Sequence, residues 1–122
     1  MPSSIELKDE LYEALSNNEF ILYYEPQLDL KTQTITGVEA LLRWNHPQHG
    51  LLRPVAFLAS AEESGLIIPI GEWVMREACL ANKRWQEKGY SPISIAINIS
   101  PKQFHSFQLL DVIKKTLIDT KL

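Results

Sequence analysis

The hydrophobic period of the first half of the chain changes from four residues to two. Leucines recur every four residues from Leu7 to Leu15, which predicts an amphipathic helix that ends at residues 17–18. Apolar and polar residues then alternate over residues 20–30 and, after a short polar turn, over residues 35–45. Two alternating segments joined by so short a turn predict a β-hairpin.

The second half returns to helical spacing and contains one more strand. Residues 54–65 and 70–89 each carry an apolar stripe and end at a glycine, which predicts two helices. Residues 93–100 alternate isoleucine with small or polar residues, which predicts a short strand, and Pro101 begins a last helix.

This order of elements predicts an α/β fold. The long helical connection between the second and third strands suits parallel pairing with a right-handed crossover. A complete (β/α)₈ barrel usually needs about 250 residues, and this chain predicts three strands in 122 residues. We therefore expect a partial TIM-like (β/α) barrel, about half of a complete one.

Strand alternation places Glu39, Leu41 and Arg43 on one face of the second strand. Two interpretations of this face remain open. In the first, structural interpretation, Glu39 and Arg43 pair with each other or reach solvent, because burying an unpaired carboxylate is costly. Alternatively, Glu39 is a metal ligand beside an arginine that holds phosphate, because carboxylates bind Mg²⁺ or Mn²⁺ and a guanidinium matches phosphate. The strand alone favours the structural interpretation, although Asn98 is a third polar group expected to point inward.

Composition narrows the class of protein. The chain has 45% hydrophobic residues, a net charge of −3 and no basic block, which predicts one domain that does not bind polymeric nucleic acid. A single cysteine, Cys79, suits a cytoplasmic location, and no segment is long and apolar enough to span a membrane, although a longer parent protein could be membrane-anchored.

His46 and His49 are expected to be exposed loop residues, because no further metal ligand accompanies them.

Seven short motifs occur in order between Leu7 and the end of the chain. They are YEPQ at 24–27, GVEALLRW at 37–44, HP at 46–47, AEESGLI at 61–67, GEWV at 71–74, AC at 78–79 and INIS at 97–100. Together they closely resemble the EAL family of cyclic di-GMP phosphodiesterases. On this resemblance, residues 1–122 are expected to be the N-terminal portion of a single, truncated EAL domain.

The resemblance implies a fold, a reaction and a set of site residues. It implies a barrel whose first strand is antiparallel, and hydrolysis of cyclic di-GMP to linear pGpG at a site with two divalent metals, Mg²⁺ or Mn²⁺. Glu39 matches the catalytic motif glutamate that binds metal, and Asn98 matches a ligand of the same metal. Arg43 matches an arginine that contacts a substrate phosphate, Leu41 is expected to line the pocket, and Glu25 and Gln27 are expected to face the nucleotide.

Two departures from the family pattern set further expectations. The family commonly has glutamine where this chain has Glu25, so an added negative charge is expected to weaken binding of the anionic substrate. The family's remaining metal ligands and its catalytic lysine match nothing before Leu122, so the chain alone is expected to be inactive and to bind metal weakly. An alternative to the enzyme function is a degenerate EAL module that senses cyclic di-GMP or binds a protein. A third hypothesis is an unrelated small α/β fold in which Glu39 has a structural role.

The partial barrel also sets an expectation about partners. Three strands leave an unpaired sheet edge, so self-association through that edge is expected. GGDEF or sensor domains are expected partners in a longer parent protein.

Overall fold

The computed structural model describes residues 4–105 and 108–122. The chain folds into one four-stranded sheet with its helices packed against it. The elements are α1 (Ser4–Ser16), β1 (Phe20–Asp29), β2 (Thr34–His46), β3 (Gly50–Leu52), a 3₁₀ turn (Pro54–Ala56), α2 (Leu58–Ser64), α3 (Ile67–Glu87), β4 (Ser94–Ile97), α4 (Pro101–Phe104) and α5 (Leu109–Thr120).

β2 is the central strand of the sheet. β1 pairs with it antiparallel along one edge, while β3 and β4 pair with other parts of β2, antiparallel and parallel respectively. The predicted hairpin, the antiparallel first strand and the parallel crossover through α3 are therefore confirmed. β3 is an additional strand that the sequence pattern did not predict, and it folds back onto the end of β2.

The hydrophobic core lies on one face of the sheet. Trp44 and Phe57 are almost completely buried and meet edge to face, with ring centroids 5.4 Å apart. Phe20 packs on both rings, and Leu11 of α1 and Ile70 of α3 close the cluster. Because side chains alternate along β2, burying Trp44 in this core turns Arg43 and Glu39 to the opposite face.

The prediction that His46 is an exposed loop residue is wrong. β2 extends to His46, whose side chain is 2% exposed and lies on the core face beside Trp44. Its Nε2 is 2.8 Å from Oε2 of Glu10 in α1, and its Nδ1 accepts hydrogen bonds from the backbone N–H groups of Gln48 and His49. Since Nδ1 is an acceptor, Nε2 carries the proton and donates to Glu10. His49 is exposed, as predicted.

The predicted last helix is divided in two. α4 ends at Phe104 and α5 begins at Leu109; residues 106 and 107, over which one continuous helix was predicted, lie outside the described residues. α5 packs on α3, and Arg76 donates to Asp119 at 3.1 Å between the two helices. The predicted third strand is also shorter than expected, because regular pairing stops at Ile97.

Candidate functional site

Two polar side chains meet at the carboxyl end of β4. The parallel register pairs Glu39 with Ala96, so Asn98, two residues further along, comes from the same face of the sheet. Nδ2 of Asn98 donates to Oε2 of Glu39 at 3.0 Å. The contact joins residues 59 positions apart in sequence, and it brings together the two predicted metal ligands.

Arg43 lies further along the same face of β2. Its Nη1 donates to the backbone carbonyl of Leu42 at 2.7 Å, and its guanidinium lies 6.0 Å from the centroid of the Tyr23 ring. Among the described residues no ion pair joins Arg43 to Glu39. The two charges therefore do not satisfy each other. A structural role in which Glu39 and Arg43 pair with each other is excluded.

A cavity of about 430 Å³ opens beside these residues. Residues 41–43 of β2 lie between the stretches that pair with β4 and with β3, and the cavity enters the sheet there. Leu41, Arg43 and Asn98 line it, and its volume is in the usual range for small-molecule sites, about 300–1,000 Å³. Glu39 does not line the cavity, and core-facing side chains of α2 and α3 form part of its wall. The predicted convergence on one polar concavity is therefore found for Arg43 and Asn98, while Glu39 is joined to Asn98 by the hydrogen bond.

The predicted residues of β1 lie beside the site and not in the cavity wall. Glu25 is directly opposite Glu39 in the β1–β2 register, and Gln27 is opposite Gly37. Directly opposed residues of an antiparallel pair share a face, so Glu25 and Glu39 place two negative charges on the same side of the sheet. Both β1 side chains are exposed, and neither lines the cavity.

The donor chemistry at Glu39 and Asn98 fits a hard divalent cation. The Oδ1 of Asn98 is not used in the hydrogen bond to Glu39, so a carboxylate and an amide oxygen are available as ligands. Mg²⁺ is commonly held by one or two carboxylates, with water completing its octahedral shell. Within residues 4–105 and 108–122, no three acidic, histidine or cysteine side chains cluster as a metal site.

Two groups with shifted pKa values lie on the helix side of the sheet. Burial raises the pKa of the Tyr24 hydroxyl, and the nearby Glu77 raises it further, while the ring packs edge-on against Trp85. Burial also raises the pKa of the Cys79 thiol. Both groups stay neutral near pH 7, and neither lines the cavity at Arg43 and Asn98.

Three residues of this region were missed by the sequence reasoning. Ser100 and Gln103, which bracket the start of α4, line the cavity together with Gly71 of α3. Their signal was present: a serine followed three residues later by glutamine at a predicted helix start is a capping box.

The architecture defines the class of protein. A parallel β-α-β unit with an antiparallel first strand is a partial (β/α) barrel. The polar side chains near the carboxyl end of β4 lie at the face on which such barrels carry their active sites. The EAL domain family model matches residues 8–122. The chain belongs to the EAL domain family.

Two named relatives are similar to this chain in sequence. MucR of Pseudomonas aeruginosa, a bifunctional diguanylate cyclase/cyclic di-GMP phosphodiesterase, is 42% identical over 114 residues, which are 93% of this chain and 17% of MucR. The cyclic di-GMP phosphodiesterase PdeR of Escherichia coli is 34% identical over 111 residues, which are 91% of this chain and 16% of PdeR. The chain thus spans about a sixth of the length of these curated relatives.

A solved structure shares the fold. The PaMucR phosphodiesterase in complex with c-di-GMP superposes with a TM-score of 0.92 at 42% identity. The match covers 96% of this chain and 47% of the MucR chain, so the three-dimensional similarity extends over about half of that structure.

No helix in the described part of the chain has the length and apolar character needed to cross a bilayer.

Proposed function

We propose that this chain supplies the Glu39, Arg43 and Asn98 side of a cyclic di-GMP phosphodiesterase site, which produces linear pGpG. The hydrogen bond from Asn98 to Glu39 carries the proposal, because it holds two oxygen-bearing side chains together near the carboxyl end of β4. The names of MucR and PdeR support the substrate. On this proposal, residues 1–122 are the N-terminal portion of one EAL domain.

Each residue has a distinct task. Glu39 is the catalytic carboxylate and, with Asn98, holds Mg²⁺ or Mn²⁺. When bound, such a cation lowers the pKa of an attacking water and stabilises charge on the phosphate. Arg43 donates to a phosphate oxygen, for which its planar guanidinium is suited, and Leu41 forms an apolar wall of the same cavity.

Glu25 and Gln27 complete the proposed contact surface from β1. Their register opposite Glu39 and Gly37 supports this role, because it places them on the face that carries the site. Glu25 brings a negative charge toward an anionic substrate, so it weakens nucleotide binding relative to a glutamine.

Three further proposals concern the association of the chain, its neighbouring domains and its location in the cell. We propose that its open sheet edge associates with a second copy, that GGDEF or sensor domains accompany it in a longer protein, and that it acts in the cytoplasm. The bifunctional name of MucR supports a neighbouring cyclase domain. The presence of a single cysteine supports a reducing compartment.

The experiment is a Mn²⁺ titration of the 122-residue chain followed by electron paramagnetic resonance. Glu39→Gln and Asn98→Ala are each expected to weaken Mn²⁺ binding by about 10-fold or more, because each removes an oxygen ligand or its charge. Glu63→Gln, an exposed carboxylate of α2, is the matched control and is expected to leave the affinity unchanged. Equal affinities for the wild type, Glu39→Gln and Asn98→Ala would refute the proposed metal site.

A second arm measures turnover. The 122-residue chain alone is expected to show no measurable hydrolysis of cyclic di-GMP, because only two oxygen ligands converge within its described residues. Hydrolysis that is lost in Glu39→Ala would contradict this expectation. Binding of cyclic di-GMP by a longer form that also fails to hydrolyse it would favour the sensor function.

A further inference from the structure

The segment that carries Asn98 is held by the sheet on one side only. Strand pairing of β4 ends at Ile97, which is paired with Ala40, so the backbone of Asn98 lies outside the ladder. The next fixed point is Ser100, the N-cap of α4. The position of the Asn98 amide therefore depends on how firmly the start of α4 is anchored.

A reciprocal pair of hydrogen bonds anchors that start. The backbone N–H of Gln103 donates to Oγ of Ser100 at 3.2 Å, and the backbone N–H of Ser100 donates to Oε1 of Gln103 at 3.0 Å. Gln103 is 6% exposed, so its side of the two bonds is buried, while Ser100 is half-buried. A capping box usually stabilises a helix, but α4 has only four residues. This box therefore serves mainly to fix the chain that leaves β4.

The Gln103 side chain is seated on α3. A methyl group at Gly71 would overlap the amide nitrogen of Gln103, so the Gln103 side chain can keep this position only beside glycine. Glycine inside a helix is less favourable than alanine, and at Gly71 it provides this space. A second contact is a hydrogen bond in which Nζ of Lys102 donates to the backbone carbonyl of Glu62 at 2.7 Å. The start of α4 is thus fixed on both α2 and α3.

We propose that Gln103, seated on Gly71, is a positioning residue that holds the Asn98 amide against Glu39. It acts on the Asn98 amide through Ser100 and the two residues before it. The effect on the Asn98–Glu39 hydrogen bond follows from the structure alone. The effect on metal binding rests, in addition, on the proposed function.

The first test observes the Asn98 side chain without metal, in the ¹⁵N-labelled 122-residue chain. The Asn98 amide signals are assigned by their loss in Asn98→Ala, and Glu39→Ala marks their position when the hydrogen bond is absent. Gln103→Met, which keeps the length but removes both polar atoms, is expected to move the signals toward the Glu39→Ala position. Gln103→Glu retains an acceptor for the Ser100 N–H and is expected to keep them near the wild-type position.

Gly71→Ala provides an independent variant. It improves the helical propensity of α3 while displacing the Gln103 amide, so it is expected to move the Asn98 signals in the same direction as Gln103→Met. It keeps the test valid if Gln103→Met does not fold. Asn98 signals at the wild-type position in whichever of these two variants folds would overturn the proposal.

The second test is a double-mutant cycle on Mn²⁺ affinity. Gln103→Met is expected to weaken Mn²⁺ binding by about 10-fold in the wild-type chain and to have no further effect in the Asn98→Ala chain. Equal losses in both backgrounds would show a general structural role and overturn the proposal. If the wild-type chain binds no Mn²⁺, the proposed metal site fails, and the amide signals alone decide the role of Gln103.

Discussion

At the residue scale, the pair Glu25 and Glu39 leads to a prediction about ligand binding. The two carboxylates face each other across β1 and β2, and Glu39 is the one that accepts a hydrogen bond from Asn98. Like charges directly opposite in a sheet are unfavourable, and an anionic ligand placed near them meets both. On the proposed function, Glu25 adds a negative charge beside Glu39 without lining the cavity.

Glu25→Gln is expected to raise the affinity for cyclic di-GMP by about 2- to 5-fold, because removing one like charge is worth up to about 1 kcal/mol. Isothermal titration calorimetry with the metal-loaded chain measures the change. Glu87→Gln, which removes an exposed charge at the end of α3, is the control and should leave the affinity unaltered. An unchanged affinity in Glu25→Gln would show that this side chain lies beyond the reach of the nucleotide.

His46 is the second residue with a specific prediction. Its ring is buried beside Trp44 and donates to Glu10, so it joins α1 to the end of β2. His46→Ala is expected to lower the free energy of unfolding by about 2 kcal/mol, because it removes a buried hydrogen bond to a charged group and leaves a gap. Urea denaturation measures the loss, and the exposed His49→Ala should cost less than about 0.5 kcal/mol. Equal costs for the two variants would contradict the structural role of His46.

At the scale of elements, the contact between β2 and β4 decides whether the site forms. Gly37 is paired with Ser94 at the start of this parallel ladder, and a Cβ there would lie 2.8 Å from Oγ and 2.9 Å from the carbonyl oxygen of Ser94. The close approach of the two strands therefore depends on glycine at this position, two residues before Glu39.

Gly37→Ala is expected to push β4 away from β2 and to lower the free energy of unfolding by about 1–3 kcal/mol, the usual cost of overpacking. The same displacement should weaken Mn²⁺ binding, because Asn98 follows β4. Thr36→Ala, the exposed neighbouring residue of β2, is the control for both measurements. A Gly37→Ala chain with wild-type stability would show that the strands can separate locally without loss.

At the scale of the whole molecule, the open side of the sheet is the dominant feature. Among the described residues, β4 pairs with β2 alone, and α5 leaves the apolar side chains of Leu110 and Ile118 60% and 75% exposed. An unpaired strand edge and exposed apolar side chains each favour association with another chain.

We therefore expect the 122-residue chain to self-associate at micromolar concentration. Light scattering should give a mass above the 14.0 kDa of one chain, and Ile118→Lys should shift it toward the monomer if α5 is part of the interface. Tyr12→Lys, at an exposed position of α1, is the matched control. A monodisperse 14.0 kDa species would defeat the self-association proposal.

The sequence by itself determined the long helices, the hairpin and the faces of the strands, but not β3 or the division of the last helix. Alternation is a local property of an extended backbone, so it assigned Glu39, Leu41 and Arg43 to one side of β2 without knowledge of any neighbour. The long helix α3 followed in the same way from its apolar stripe. The chemistry of Glu39 did not follow from its strand, which favoured a structural glutamate, and only the resemblance to the EAL family indicated a metal ligand.

The tertiary structure decided which of these residues meet. Asn98 reaches Glu39 through the parallel register of β2 and β4, and His46 is buried because Glu10 of α1 supplies a partner 36 residues away. Gln103 is fixed by the space above Gly71, which no local pattern shows. Burial and pairing depend on groups that are distant along the chain, whereas periodicity depends only on backbone geometry. Sequence alone therefore assigned the faces of the strands, and packing assembled the site.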